Sequence, residues 1–245
     1  MQRTLKITSD GSHTLYVPEL EEHYHSIHGA VQESNHVFIG AGLKEVISRQ
    51  SLVIGQESIK ILEVGMGTGL NVLLTLLEGE KTGLLSPHPP KSPQRGNFLA
   101  IEYTAIEAFP LEKEIYSALN YSSVIPDEKA GPVLYSIHSS AWNTPIDINH
   151  GFTLLKVNEK LENIVLGDNK FNLVYFDAFA PEVQPELWPE AIFKKIYNAM
   201  APNGILVTYC CKGDVKRAMK TAGFTIEKLP GPPGKREMLR AKKEI

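Results

Sequence analysis

Residues 61–71 read ILEVGMGTGLN, and the fold turns on how this stretch is understood. An apolar run carrying one acid, Glu63, enters three glycines at alternate positions, Gly65, Gly67 and Gly69. The helical pattern NVLLTLLEG follows at once. A buried strand that passes through glycines straight into a helix lets the backbone turn sharply and lets a ligand approach it closely. A dinucleotide fingerprint, G-x-G-x-x-G/A, would need glycine or alanine at position 70, where this chain has Leu70. The spacing is G-x-G-x-G instead, with an acid two residues ahead of the first glycine.

Outward from this stretch the chain keeps one rhythm. Apolar runs recur at IKILEV (59–64), NFLAIE (97–102), FNLVYFD (171–177) and GILVTYC (204–210). Amphipathic segments such as AFPLEKEIYSALN and ELWPEAIFKKIYNAM separate them. Strands alternating with helices predict a mostly parallel sheet covered on both faces. The N-terminus predicts a small hairpin, LKIT and TLYV joined around Asp10-Gly11, and residues 24–50 are mostly helical in spacing. We therefore expect an N-terminal extension over 1–50 and one compact domain over 51–245. Residues 80–96, with four prolines, read as a loop between the first helix and the second strand. Between 120 and 167 the pattern offers a helix, GPVLYSIHSSAW, and an alternating FTLLKVN, without fixing the third strand.

At 245 residues, 42 % hydrophobic and 22 % charged, the composition is that of a soluble globular protein. No apolar stretch approaches the ~20 residues of a membrane span, and the N-terminus lacks the pattern of a signal peptide, which together read as cytoplasmic. The two cysteines, Cys210 and Cys211, are adjacent and support neither a disulfide framework nor a C-x-x-C zinc site. His25 and His28 lie three apart without acid-rich or cysteine-rich companions, so no metal site is expected. The net charge of −3 conceals ten Lys/Arg against four Asp/Glu in residues 206–245, a balance of +6. That skew fits a polyanionic partner or a solvated surface.

The E-x-G-x-G-x-G loop resembles the first motif of class I S-adenosylmethionine-dependent methyltransferases. The resemblance implies a Rossmann-like α/β fold with a seven-stranded, mostly parallel sheet, and S-adenosyl-L-methionine as cofactor. Glu63, Gly65, Met66, Gly67, Thr68, Gly69 and Asn71 become candidate cofactor residues. An acid there suits a ligand that carries an ammonium and a sulfonium and no pyrophosphate. Glu102, read as the end of the second strand, would accept hydrogen bonds from the ribose hydroxyls, as the acid of dinucleotide folds does. Asp168 would meet the adenine amino group, or is simply a turn residue in Gly-Asp-Asn.

Asp177 ends FNLVYFD and therefore emerges at the carboxyl edge of the sheet, where open α/β folds bind ligands. A carboxylate there can hold an ammonium, take its proton and aim the nitrogen lone pair. Phe179 and Pro181 offer a flat apolar wall for a nucleobase. FDAFAPEVQPELW resembles the D-x-F-x-P-x-x-x-P-x-x-W signature of the MnmC-like methyltransferases, which act on the 5-aminomethyl group of the wobble uridine in certain bacterial tRNAs. YHSIHGAVQESNHVFIGAGL, TYCCKGDVKRAMKTAGF and PGPPGKREML resemble further segments of that family, about four-fifths of the length in all. Pro232-Pro233 and Cys210-Cys211 depart from its pattern. The resemblance implies tRNA as partner, with Lys235 and Arg236 on phosphates, and aminomethyl groups supplied by separate enzymes. Because the sequence ends at KKEI, a stand-alone methyltransferase without a flavin domain is expected. Two rivals are an aminopropyltransferase of the same fold and a non-catalytic tRNA-binding partner.

Overall fold

A computed structural model describes residues 1–50, 58–85 and 100–244. Residues 86–96 of the proline-rich stretch, and 97–99 of the run NFLAIE, lie outside the described residues. The chain opens with strands β1 (Thr4–Ile7), β2 (His13–Val17) and β3 (Glu22–His23), which form a three-stranded antiparallel sheet. The β1–β2 turn is where Asp10-Gly11 predicted it: the Asp10 carboxylate accepts from the Ser12 amide, and Gly11 has φ +83°. A helical stretch follows as Ala30–Ser34, a π-helical Asn35–Leu43 and Lys44–Gln50.

Eight further strands make the main sheet: β4 (Ser58–Val64), β5 (Ala100–Ile106), β6 (Ile146–Asn149), β7 (Phe152–Val157), β8 (Phe171–Phe176), β9 (Met200–Thr208), β10 (Thr225–Pro230) and β11 (Glu237–Lys242). Their order is β10-β11-β9-β8-β4-β5-β7-β6. The five central strands from β9 to β7 are parallel, and the pairs at both edges are antiparallel. The eighth strand, short β6, adds to the expected seven by folding back on β7 at an edge. FTLLKVN supplies β7, the strand that the sequence left unplaced. GPVLYSIHSSAW supplies the helix Ala130–Ser139.

Central parallel strands are covered on both faces, so successive residues serve two separate cores. On β8, Leu173 and Tyr175 join the core beneath Asn35–Leu43 and the helix Leu70–Lys81. Val174 and Phe176 join the core beneath the helices Glu190–Ala199 and Gly213–Ala222. Strands β4, β5, β7 and β8 are parallel and so end at one common carboxyl edge. The loops that leave this edge build the site.

Candidate active site

Leaving β4, the chain crosses Gly65, Gly67 and Gly69 at φ +87°, +50° and +71°, a region that side-chain-bearing residues rarely adopt. At Gly65 the requirement is also spatial, because a Cβ there would stand 2.5 Å from the Asp177 carbonyl oxygen. The two strand ends touch: the Asp177 amide donates to the Val64 carbonyl at 3.0 Å, and the Gly65 amide to that of Ile106 at 3.0 Å.

Side chains from distant segments fix the loop. The Thr68 hydroxyl meets His25 Nε2 at 2.8 Å and the Tyr121 hydroxyl at 3.1 Å. The Thr68 carbonyl lies 2.9 Å from His138 Nε2. Burial pushes both histidines down to about 4, so they are neutral partners. Both rings are hydrogen-bonded to the loop, and among the described residues no group of three or more His, Cys, Asp or Glu could hold a metal.

Behind the loop lies a carboxyl pair. The Asn71 amide nitrogen donates to Glu63 Oε1 and to Asp177 Oδ2, each at 2.9 Å, and the Tyr103 hydroxyl donates to Glu63 Oε2 at 3.0 Å. Burial, reinforced by the charge of Asp177, holds Glu63 well above the usual carboxylate range. Asp177 is pushed up to about 8, first by burial and then by the charge of Glu33, against the opposing Asn71 hydrogen bond and the Lys235 charge. Two carboxyls on one amide cannot both ionise cheaply in such surroundings.

In front of the loop is a cavity of about 680 Å³, within the range of small-molecule sites. Gly65, Met66, Gly67, Asp177, Phe179 and Lys235 of the predicted set line it. Glu63, Thr68, Gly69 and Asn71 do not line it; they are the layer that shapes it. Pro181 and Arg236 are outside the lining as well, Arg236 being exposed in the turn before β11. Phe179 packs edge-on against Tyr24 at 5.1 Å, and its carbonyl accepts from the Trp188 indole at 2.8 Å. That bond is why the tryptophan follows nine residues later.

Two expected positions are corrected. β5 runs on to Ile106, so Glu102 does not end it; Glu102 is an exposed mid-strand residue held by Ser58 and Lys60. The acid at the carboxyl end is Glu107, whose Oε2 accepts from the Gly67 amide at 2.9 Å and which lines the cavity. Asp168 precedes β8, at the opposite edge of the sheet, in a turn with Gly167 at φ +74° and Asn169 at φ +51°. The turn reading is therefore the right one, and the loop after β7 brings Glu159, Lys160, Leu161 and Glu162 to the cavity instead. Sequence reasoning also missed Tyr24, Glu33 and Tyr209 in the lining. The signals available were the segments that hold them, YHSIHGAVQES for Tyr24 and Glu33 and TYCC for Tyr209, and neither is repeated or periodic.

The geometry fits S-adenosylmethionine in two respects. Gly65 and Gly67, both in the lining, are needed by the backbone where a ligand could approach, and the acidic lining (Glu22, Glu33, Glu107, Glu159, Glu162, Glu186 and Asp177) suits a cationic group. Lys160 and Lys235 are the lysines in it.

Residues 138–244 match a family of S-adenosyl-L-methionine-dependent methyltransferases. Over 96 % of its length the chain is 28 % identical to a protein of Cupriavidus metallidurans named tRNA 5-methylaminomethyl-2-thiouridine biosynthesis bifunctional protein MnmC, and 29 % identical to its namesake in Burkholderia mallei. The chain spans about a third of the length of these curated relatives. The fold is similar to the crystal structure of MNMC2 from Aquifex aeolicus, with a TM-score of 0.75 at 22 % identity over 99 % of this chain and 70 % of that one. It is also similar to spermidine synthase from Thermotoga maritima, with a TM-score of 0.51 at 10 % identity over 100 % and 73 %. The architecture is thus that of the class I methyltransferases, carrying an N-terminal antiparallel sheet.

Proposed function

We propose that this chain is an S-adenosylmethionine-dependent methyltransferase that methylates the 5-aminomethyl group of a wobble uridine in tRNA, with Asp177 as the catalytic residue. The observation that carries this reading is the contact between the two strand ends. The backbone of Asp177 packs against Gly65, and its side-chain carboxyl, with a raised pKa and held by Asn71, belongs to a residue at the wall of the same acid-lined cavity. The names of the relatives point to tRNA as the substrate.

Gly65, Met66, Gly67 and Glu107 would hold the cofactor, which supplies an electrophilic methyl group on a sulfonium. The chain's own residues do the rest. An ammonium entering the cavity meets Asp177, whose ionised form it favours, since a positive neighbour lowers a carboxyl pKa. Asp177 then accepts the proton, directly or through water, and exposes the nitrogen lone pair. Asn71 holds the carboxylate from behind, leaving Oδ1 free of that bond and able to face the cavity. Phe179 and Tyr24 form an aromatic corner against which a base can pack. The product would be a methylaminomethyl uridine, and the aminomethyl group would have to be installed by other enzymes. A tRNA substrate implies a cytoplasmic location; no helix among the described residues is long and apolar enough to cross a membrane.

The test is incubation with methyl-labelled S-adenosylmethionine and tRNA bearing or lacking the aminomethyl group, followed by nucleoside analysis. Label in methylaminomethyl uridine from the first tRNA alone is expected. Label in both tRNAs, or in neither, sinks the reading. Transfer of an aminopropyl group from decarboxylated cofactor to a diamine would favour the polyamine rival, which shares this fold.

A further inference from the structure

A lysine, a buried carboxylate and an aromatic ring meet at one wall of the cavity. Lys235 Nζ lies 2.6 Å from Glu33 Oε1 and 3.9 Å from the centroid of the Tyr209 ring. All three residues line the cavity beside Asp177. The carboxylate and the ring are fixed from behind. Glu33 is buried, and its other oxygen accepts from the Ser26 amide at 2.8 Å. The Tyr209 hydroxyl donates to the Ala178 carbonyl at 2.8 Å. Lys235 instead comes from the turn between β10 and β11, which contains Gly231 and, at φ +84°, Gly234. Its partner Glu33 is 202 residues away in sequence.

A carboxylate and an aromatic face converging on one point bind an alkylammonium through a charged hydrogen bond and a cation–π contact. The end of a lysine, CH2–NH3⁺, has the same chemistry as the aminomethyl group of the proposed substrate. We propose that Glu33 and Tyr209 form a seat for the substrate's primary ammonium, which Lys235 occupies until the substrate arrives. This rests on the functional reading above and adds what selects the amine. The exchange keeps the charge count on binding, because one ammonium leaves Glu33 as another enters, so substrate entry does not strand a buried carboxylate. A neutral hydroxymethyl group in the same position would strand Glu33 and is excluded on that ground. From the seat the nitrogen passes its proton to Asp177, close enough to Glu33 for the two charges to influence each other.

Two measurements test it. The first does not depend on tRNA: the side-chain resonance of Lys235, assigned by its loss in Lys235→Met, is followed by NMR as methylammonium chloride or sodium chloride is added at equal ionic strength. A saturating shift with methylammonium alone is expected, and equal response to both salts overturns the seat. The second compares binding of anticodon stem-loops carrying 5-aminomethyl- or 5-hydroxymethyluridine to the protein with S-adenosylhomocysteine. Glu33→Gln should cost the aminomethyl RNA about 10- to 100-fold and the hydroxymethyl RNA little. Tyr209→Leu, a second route should Glu33→Gln fail to fold, should cost the amine selectively by several-fold. Lys235→Met should tighten the aminomethyl RNA alone, because a competing occupant has been removed. Equal weakening of both RNAs by Lys235→Met would make Lys235 a backbone contact and overturn the proposal. If methylammonium shifts Lys235 but the tRNA is not methylated, the seat stands and the wobble-uridine reading fails.

Discussion

At the carboxyl edge of the main sheet Glu33, Glu107 and Asp177 face one cavity, with Lys160 and Lys235 as the lysines beside them. On β10 and β11, by contrast, the charges are matched one by one: Lys228 with Glu237, Arg240 with Glu45 and Glu227, and Lys242 with Glu227. The residue types are the same, and their environments make them different chemistry. Pairs at the surface cancel in high dielectric and contribute about 0–1 kcal/mol each. The pairs with Asp214, Glu227 and Glu237 are already counted in the +6 of residues 206–245, and only Glu45, Glu182 and Glu33, from outside that segment, draw on it. In the cavity the acids outnumber the bases and burial penalises their charge, so Asp177 moves to about 8. Excess charge becomes reactive where it is buried and unmatched, which a count along the sequence does not reveal.

The largest effect is expected at Asp177, the buried acid of the cavity. Asp177→Asn keeps the shape and the bond to Asn71 but removes the group that accepts the proton. Single-turnover methylation with saturating cofactor should fall by roughly 10²- to 10⁴-fold, the usual scale of general-base catalysis. Cofactor affinity should change little. A variant within a few-fold of wild type would reduce Asp177 to a structural residue at the strand end.

The next contrast sets an acid of the cavity against one outside it. Glu107→Gln should weaken cofactor binding by about 10-fold or more, since a charged acceptor at the loop is lost. Glu102→Gln should leave binding within twofold, because Glu102 is mid-strand and held by Ser58 and Lys60. Calorimetry on both variants decides, and the reverse ranking would restore the assignment made from sequence.

That error marks where the sequence stopped being legible. β4 and β8 were readable because apolar runs end in residues of another kind, glycines in one and an acid in the other. In β5 the same rule misled: Glu102 interrupts the apolar run, yet Tyr103 and Ala105 carry the strand on into the core. An acid can sit mid-strand when its turn in the alternation faces Lys60 and solvent. β7 shows a clean alternation of buried and half-buried residues, yet it contains Lys156, fully buried and donating to the His138 carbonyl at 2.8 Å, which blurs the pattern. Asp168 stayed open between two readings because a turn before a strand and a loop after one look alike in sequence but lie at opposite edges. Glu33 and Tyr209, 176 positions apart, were invisible because only tertiary contact brings them together.

Burial of charge should also appear as stability. A carboxyl with a native pKa near 8 and an unfolded value near 4 binds its proton more tightly when folded, so ionisation opposes folding. The cost is absent below about pH 4, grows as pH rises through the interval, and is complete above about 8. Asp177→Asn should therefore be more stable than wild type at pH 8, by a few kcal/mol at most, with the gain shrinking toward pH 5. His25 and His138 act in the opposite direction. Their native values near 4 lie below the unfolded 6.5, so the stability they contribute is full above 6.5 and is lost as pH falls toward 4. Thermal melts of both proteins across pH 5–8 test this, and parallel curves would show that Asp177 titrates alike in both states.

The smallest expected effect belongs to the surface. Arg236 is exposed and has no ion pair among those described, whereas Lys228, nearby on β10, is committed to Glu237. If the proposed tRNA lies across the mouth of the cavity, Arg236 has a charge available for a phosphate and Lys228 does not. Each phosphate contact contributes close to one unit to the dependence of log K on log salt. Arg236→Ala should thus lower that slope by about one and weaken tRNA binding only modestly at physiological salt, with cofactor binding unchanged. Lys228→Ala should leave the slope where it was, because the cation lost was already neutralised. Titrations of both variants between low and moderate salt make the distinction. Equal slopes for wild type and both variants would mean that the RNA is held on another face, and that the unpaired arginine, like its paired neighbour, is only solvated surface.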